Sequence, residues 1–147
     1  MAACALCDII AGRAPSHVVF EDEHTMAFLD HRPLVHGHCL VVPRIHCATL
    51  LDLPDIMVQP LFRVAKRLAW AVQEGLGAEG SFLAINTIVS QSVPHLHVHV
   101  MPRRRKDGLF SKRMIWQRRP YRGDEEVRRI QEAIRSALHA VVPPQGN

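Results

Sequence analysis

The chain has no apolar run long enough to cross a bilayer, and its first residues lack a basic stretch followed by an apolar core. Membrane-spanning and secretory readings therefore give way to a soluble, cytoplasmic protein. It is also short of cysteine: four, at positions 4, 7, 39 and 47, are too few and too unevenly placed for a disulfide scaffold. Reduced thiols or metal ligands fit them better. Internal repeats and low-complexity segments are absent too. What remains is 147 residues of ordinary composition, 48% apolar and 22% charged, suited to a single domain over residues 1–142 with a frayed tail at 143–147.

Against that background, one stretch stands out. In Pro94-His95-Leu96-His97-Val98-His99-Val100-Met101-Pro102, three of the chain's ten histidines occupy one parity and aliphatic residues the other. Strict alternation fenced by prolines predicts a half-buried strand with its apolar face on a core. Residues i and i+2 of a strand lie roughly 6.5–7 Å apart, whereas a metal binds imidazole nitrogen at about 2 Å. One ion cannot hold all three rings, so the row predicts divided labour.

The net charge of +4 is unevenly distributed. Arg103-Arg104-Arg105-Lys106 follows the histidines directly, with Lys112, Arg113, Arg118, Arg119 and Arg122 behind. Basic groups beside a site raise the local anion concentration, which favours a phosphorylated ligand, nucleic acid included. Cys4-Ala-Leu-Cys7 has the spacing of zinc or redox pairs, or of two free thiols. A redox pair normally follows a strand, for which there is no room here.

Periodicity places the remaining elements. A short helix around Asp8–Ala11 ends at Gly12 and Pro15. Strands are expected at Val18–Phe20, Thr25–Leu29, His38–Pro43 and Ser81–Asn86, with the histidine strand fifth. Leu61, Val64, Ala65, Leu68, Val72 and Leu76 repeat at helical spacing, with an N-cap near Asp52, a main start near Gln59 because of Pro60, and a stop at Gly75 or Gly77. A last helix opens on Asp124-Glu125-Glu126 and carries Val127, Ile130, Ile134, Leu138 and Val141 on its apolar face, up to Pro143-Pro144. The result is an α+β domain, its sheet of five mostly antiparallel strands, with one long central helix and a C-terminal helix.

The order of these stretches resembles the histidine triad (HIT) family of nucleotide hydrolases and transferases. His95-Leu-His97-Val-His99-Val-Met101 fits that family's His-φ-His-φ-His-φ-φ signature. Support comes from Gln91-Ser92-Val93, Ile9-Ile10-Ala11-Gly12, Phe20-Glu21-Asp22-Glu23, Ala27-Phe28-Leu29-Asp30 and Gly37-His38-Cys39-Leu40-Val41-Val42-Pro43. The likeness spans residues 4 to about 106, leaving a basic segment and helix at 107–142. It implies the HIT-like fold, commonly as a homodimer, and attack on the α-phosphate of a purine nucleotidyl phosphoramidate or dinucleoside polyphosphate.

Carried over by position, His97 is the nucleophile that forms a nucleotidyl-histidine, and His99 contacts the α-phosphate. Gln91 and Ser92 match positions on the phosphate oxygens or leaving group. Ile9, Phe28, Asp30, His31 and Asn86 match positions around base and ribose, although His31 stands where the family is often aliphatic. Cys4, Cys7, His46 and His95 match the ligands of a structural zinc in some prokaryotic-type members. His17, His24, His36, His38 and His139 read as surface or edge residues. The loop from Asn86 to His95 is shorter than in the adenosine-phosphoramidase branch and lacks its Gly-Gly. Alternatives are a non-catalytic nucleotide-binding or partner-docking zinc protein, and an aprataxin-like deadenylase of nucleic-acid ends.

Overall fold

The computed structural model describes residues 3–111 and 117–140. Lys112 and Arg113 of the basic segment, Val141 of the last apolar stripe, and Pro143-Pro144 with the tail lie outside the described residues. In chain order the elements are α1 (Ala5–Ile10), β1 (Val18–Glu21), β2 (Thr25–Leu29), β3 (Cys39–Pro43), a 3-10 turn (Leu50–Asp52), α2 (Asp55–Leu76), β4 (Gly80–Ala84), β5 (Val98–Arg103) and α3 (Asp124–Ala140). The five strands form one antiparallel sheet in the order β1-β2-β3-β5-β4. The α+β expectation holds, and the short helix expected around Asp8–Ala11 is α1, which begins earlier, at Ala5.

The alternation of each strand assigns its two faces. Ala27 and Leu29, Cys39 and Val41, and Val98 and Val100 pack with Leu61, Val64, Leu68 and Val72 of α2. The apolar stripe of α3, including Val127, Ile130 and Ile134, joins the same cluster. The opposite parity places Met26, Phe28, Leu40 and Val42 against Leu6 and the other apolar residues of α1. The expected half-buried character is therefore corrected: β2 and β3 are buried along their whole length, and His95, His97 and His99 are 0%, 5% and 7% exposed. Helices cover one face, while α1 and a cavity occupy the other.

Several boundaries also differ from expectation. The histidine strand enters the sheet only at Val98, paired with Val41, because the Leu96 N–H goes to the Cys47 carbonyl and the His95 N–H to the Val93 carbonyl. His95-Leu96-His97 is thus an extended arm outside the ladder. β4 stops at Ala84, opposite His99, leaving Ile85 and Asn86 beyond the strand.

The helix α2 runs unbroken through Pro60 from an N-cap at Pro54, while Asp52 closes a capping box with Thr49 in the 3-10 turn. Proline removes the bond to the Ile56 carbonyl, and Ile56 is 83% exposed, so water can satisfy that oxygen. Gly77 ends the helix in the left-handed region at φ 61°. Gly75 has a different role: a Cβ there would sit 2.5 Å from the Ala133 carbonyl oxygen, so its bareness lets α2 and α3 approach.

Candidate functional site

Two clusters meet at the His95–His99 segment, one on each side of His97. The first gathers Cys4, Cys7, His46 and His95, whose ligand atoms all lie within 4.8 Å of one another. The distances are 3.5 Å from Cys4 Sγ and 3.4 Å from Cys7 Sγ to His95 Nδ1, and 3.3 Å from Cys7 Sγ to His46 Nδ1. A tetrahedral ion with sulfur at about 2.3 Å and nitrogen at about 2.1 Å gives a sulfur–nitrogen edge of about 3.6 Å. The four side chains are therefore spaced as such an ion needs.

Their protonation agrees. His95 Nε2–H donates to the Pro43 carbonyl at 3.0 Å, which leaves the Nδ1 lone pair facing the thiols. Burial pushes the His95 pKa down, keeping the ring neutral as a ligand must be.

The second cluster lies on the other side. His97 Nδ1–H donates to the carbonyl of His95 at 2.7 Å, so its Nε2 keeps the lone pair. His99 receives a chain of bonds from the segment that precedes β3. The Leu34 N–H donates to His38 Nδ1 at 3.2 Å, which places the His38 proton on Nε2. That proton is donated to His99 Nδ1 at 2.9 Å, leaving His99 Nε2–H as a buried donor with no partner among the described residues. Burial holds both rings neutral, with pKa values pushed down to about 3 for His38 and about 4 for His99. A bare nucleophilic nitrogen and an uncommitted N–H thus stand side by side, their rings 4.9 Å apart and edge to face.

Both rings line a cavity of about 560 Å³. Of the residues expected around a base and ribose, Ile9, Phe28, Asp30 and His31 line it, and so does Ser92 from the phosphate side. Asn86 and Gln91 are not among the lining residues. Gln91 instead ties the loop down, donating through Nε2 to the Ala48 carbonyl at 2.5 Å and accepting the Ile88 N–H at 3.0 Å.

Two residues of this site escaped the sequence reading. His38, taken for a surface or edge residue, is fully buried and orients His99. The available sign was parity: it shares a face with Leu40 and Val42, and Leu40 pairs with His99. Arg118 lines the cavity from the far end of the chain, and no local motif marks it.

Much of the basic run, by contrast, is engaged within the fold. Arg103 makes a two-point pair with Asp107 at 2.6 and 3.0 Å. Arg104 donates to the Leu76 carbonyl at the end of α2, and Arg105 pairs with Glu79 at 2.9 Å.

Comparison with known proteins gives the chain's relatives. The model of the HIT domain family matches residues 11–106. A Zn-bound histidine triad family protein from Mycobacterium smegmatis superposes with a TM-score of 0.80 at 37% identity, covering 94% of each chain. The adenosine 5'-monophosphoramidase of Saccharomyces cerevisiae is 38% identical over 74% of this chain and 68% of its own. An adenylylsulfatase of Arabidopsis thaliana is 28% identical over 92% of this chain and 69% of its own.

Proposed function

We propose that this chain, which belongs to the histidine triad family, hydrolyses a purine nucleotidyl compound at its α-phosphate and releases the nucleoside monophosphate. The observation that carries the reading is the proton arrangement of the paired rings. His97 keeps a lone pair on Nε2, and the neighbouring His99 keeps an unshared N–H.

In the first step, His97 Nε2 attacks the α-phosphorus. The new P–N bond forms as the bond from phosphorus to the leaving nitrogen or oxygen breaks, and the leaving group takes the electron pair. The His99 Nε2–H donates to a non-bridging oxygen, where negative charge accumulates. The cationic ring formed at His97 is steadied by its Nδ1–H bond to the His95 carbonyl. Water then attacks the same phosphorus, and the P–N bond breaks with its electron pair returning to His97 Nε2. The proton that water gives up replaces, through solvent, the one the departed leaving group takes, so His97 returns neutral. Asp30 accepts hydrogen bonds from the ribose, Ile9 and Phe28 flank the base, and Ser92 contacts the phosphate side. The relatives that act on phosphoramidates and adenylyl sulfate support α-phosphorus as the point of attack.

Zinc suits the Cys4, Cys7, His46 and His95 set, whose closed tetrahedral donors supply structure and no open coordination position. Bound there, it ties α1 to the arm that bears His97. A homodimer fits the open edge of β4 and the exposed Leu83, Ile88 and Val89 near it. Four free cysteines suit the reducing cytoplasm. The engagement of Arg103, Arg104 and Arg105 within the fold favours a small nucleotide over nucleic-acid ends.

His97→Ala tests the reading. Turnover of an adenosine 5'-phosphoramidate should disappear while nucleotide binding persists, whereas undiminished turnover by this variant would remove the proposed chemistry.

A further inference from the structure

Residues 117–122 form a strap over the turn between β2 and β3. The Arg119 N–H donates to the Pro33 carbonyl at 2.8 Å, His36 donates to the Pro120 carbonyl at 3.3 Å, and the Tyr121 hydroxyl accepts the Gly37 N–H at 3.1 Å. Tyr121 also stacks on His36, with ring centroids 4.7 Å apart. This anchoring delivers Arg118 to the wall of the cavity beside Asp30.

The guanidinium makes one close bond and one long ion pair, both through Nη1. Its Nη1 donates to the Arg32 carbonyl at 2.5 Å but stays 3.5 Å from Asp30 Oδ2. A charge-assisted bond is shorter, about 2.7–2.9 Å, so Asp30 is not engaged as a tight ion pair. Nε and Nη2 have no acceptor among the described residues, on a side chain 42% exposed. At this end of the cavity, Arg32 and Arg118 oppose the single carboxylate of Asp30. A tethered guanidinium with free donors, in a wall of net positive charge, is built to hold an oxyanion.

We propose that Arg118 forms an anion subsite beside the ribose, and that the preferred ligands carry a second phosphate on the 2'- or 3'-hydroxyl as well as the 5'-phosphate. This rests on the reading above, which places the α-phosphate at His97 and His99 and the ribose at Asp30. A second hollow of about 260 Å³ adjoins the cavity, sharing His17, Asp30 and His31 with it; Arg118 does not line this hollow, so the added group stays on the cavity side. Asp124 stands in the lining of that hollow and repels charge going deeper. The added group is accordingly one phosphate, resting at the mouth on Arg118.

Calorimetric titration of the whole chain with adenosine 5'-monophosphate, the 2',5'-bisphosphate and the 3',5'-bisphosphate tests this. One bisphosphate should bind about tenfold or more tightly than the monophosphate, as expected for a hydrogen-bonded charge pair. Which one it is identifies the hydroxyl. Arg118→Gln should bring the ratio near one, and Arg118→Lys should retain part of it, with unchanged thermal melting confirming that both variants fold. Monophosphate binding without any bisphosphate preference would overturn the subsite and leave the nucleotide site standing. A preference that survives in Arg118→Gln would overturn it equally. Failure of all three ligands to bind would remove the reading of the nucleotide site, and the subsite with it.

Discussion

The carbonyl of His95 accepts the Nδ1–H of His97 at 2.7 Å, while the His95 ring turns to the opposite side, toward the thiols of Cys4 and Cys7. One residue thus joins the candidate metal cluster to the candidate nucleophile, through its side chain on one side and its backbone on the other. The metal ligands need take no part in the chemistry to affect it, because they hold the carbonyl that fixes the tautomer of His97.

That link predicts how the metal set behaves. Protein purified without chelator should hold about one zinc ion per chain, measured by elemental analysis. Cys4→Ser should lose it, and the melting temperature should fall because metal binding is coupled to folding. Metal-free protein melting at the same temperature as Cys4→Ser and wild type alike would contradict the structural role.

The bond from His38 to His99 predicts a positioning effect. His38→Ala strips His99 Nδ1 of its donor and should lower kcat tenfold or more with a smaller change in KM, since the oriented N–H acts as charge develops. His38→Gln can accept from the Leu34 N–H and donate to His99, and should recover part of the loss. Equal losses in the two variants would indicate a packing role alone.

Burial of the same two rings fixes a pH dependence. Their folded pKa values, about 3 and about 4, lie below the unfolded value of about 6.5. Between these limits the unfolded chain binds more protons, so the stabilisation present above pH 6.5 is lost as pH falls toward 4. Denaturant titrations at pH 7.5 and pH 5 should show this loss, and His38→Gln should show a smaller one. Identical losses in both proteins would place the titration elsewhere.

A backbone contact predicts the cost of a single methyl group. Gly75→Ala sets its Cβ against the Ala133 carbonyl oxygen, which cannot rotate away as a side chain could. The helices must separate, at about 1–3 kcal/mol, despite alanine's better helix propensity. Chemical denaturation measures it, and a stabilised variant would contradict the close approach.

The fold was legible largely because local patterns carried it. The strand expected at Thr25–Leu29 and the helical spacing of Leu61, Val64 and Leu68 both survived into the structure. Pro60 misled because the cost of a proline depends on whether the orphaned carbonyl can meet water, which is a property of the assembled surface. The entry of the histidine row into the sheet at Val98 depends on Cys47, a partner some fifty residues away. Cys4, Cys7, His46 and His95 came together as the family resemblance implied, whereas Asn86 and Gln91 do not line the cavity. His38 and Arg118 could not be assigned locally. One acquires its role from the register between β3 and β5, the other from a strap that crosses the sheet's end.

The central claim is that His97 carries the nucleotidyl group. Acid-free quenching during turnover of a labelled adenosine 5'-phosphoramidate, followed by peptide mass analysis, tests it most directly. The account predicts an adenylyl adduct on the peptide containing His97, absent in His97→Ala. Steady turnover with the adduct on another residue, or unchanged turnover in His97→Ala, would contradict it.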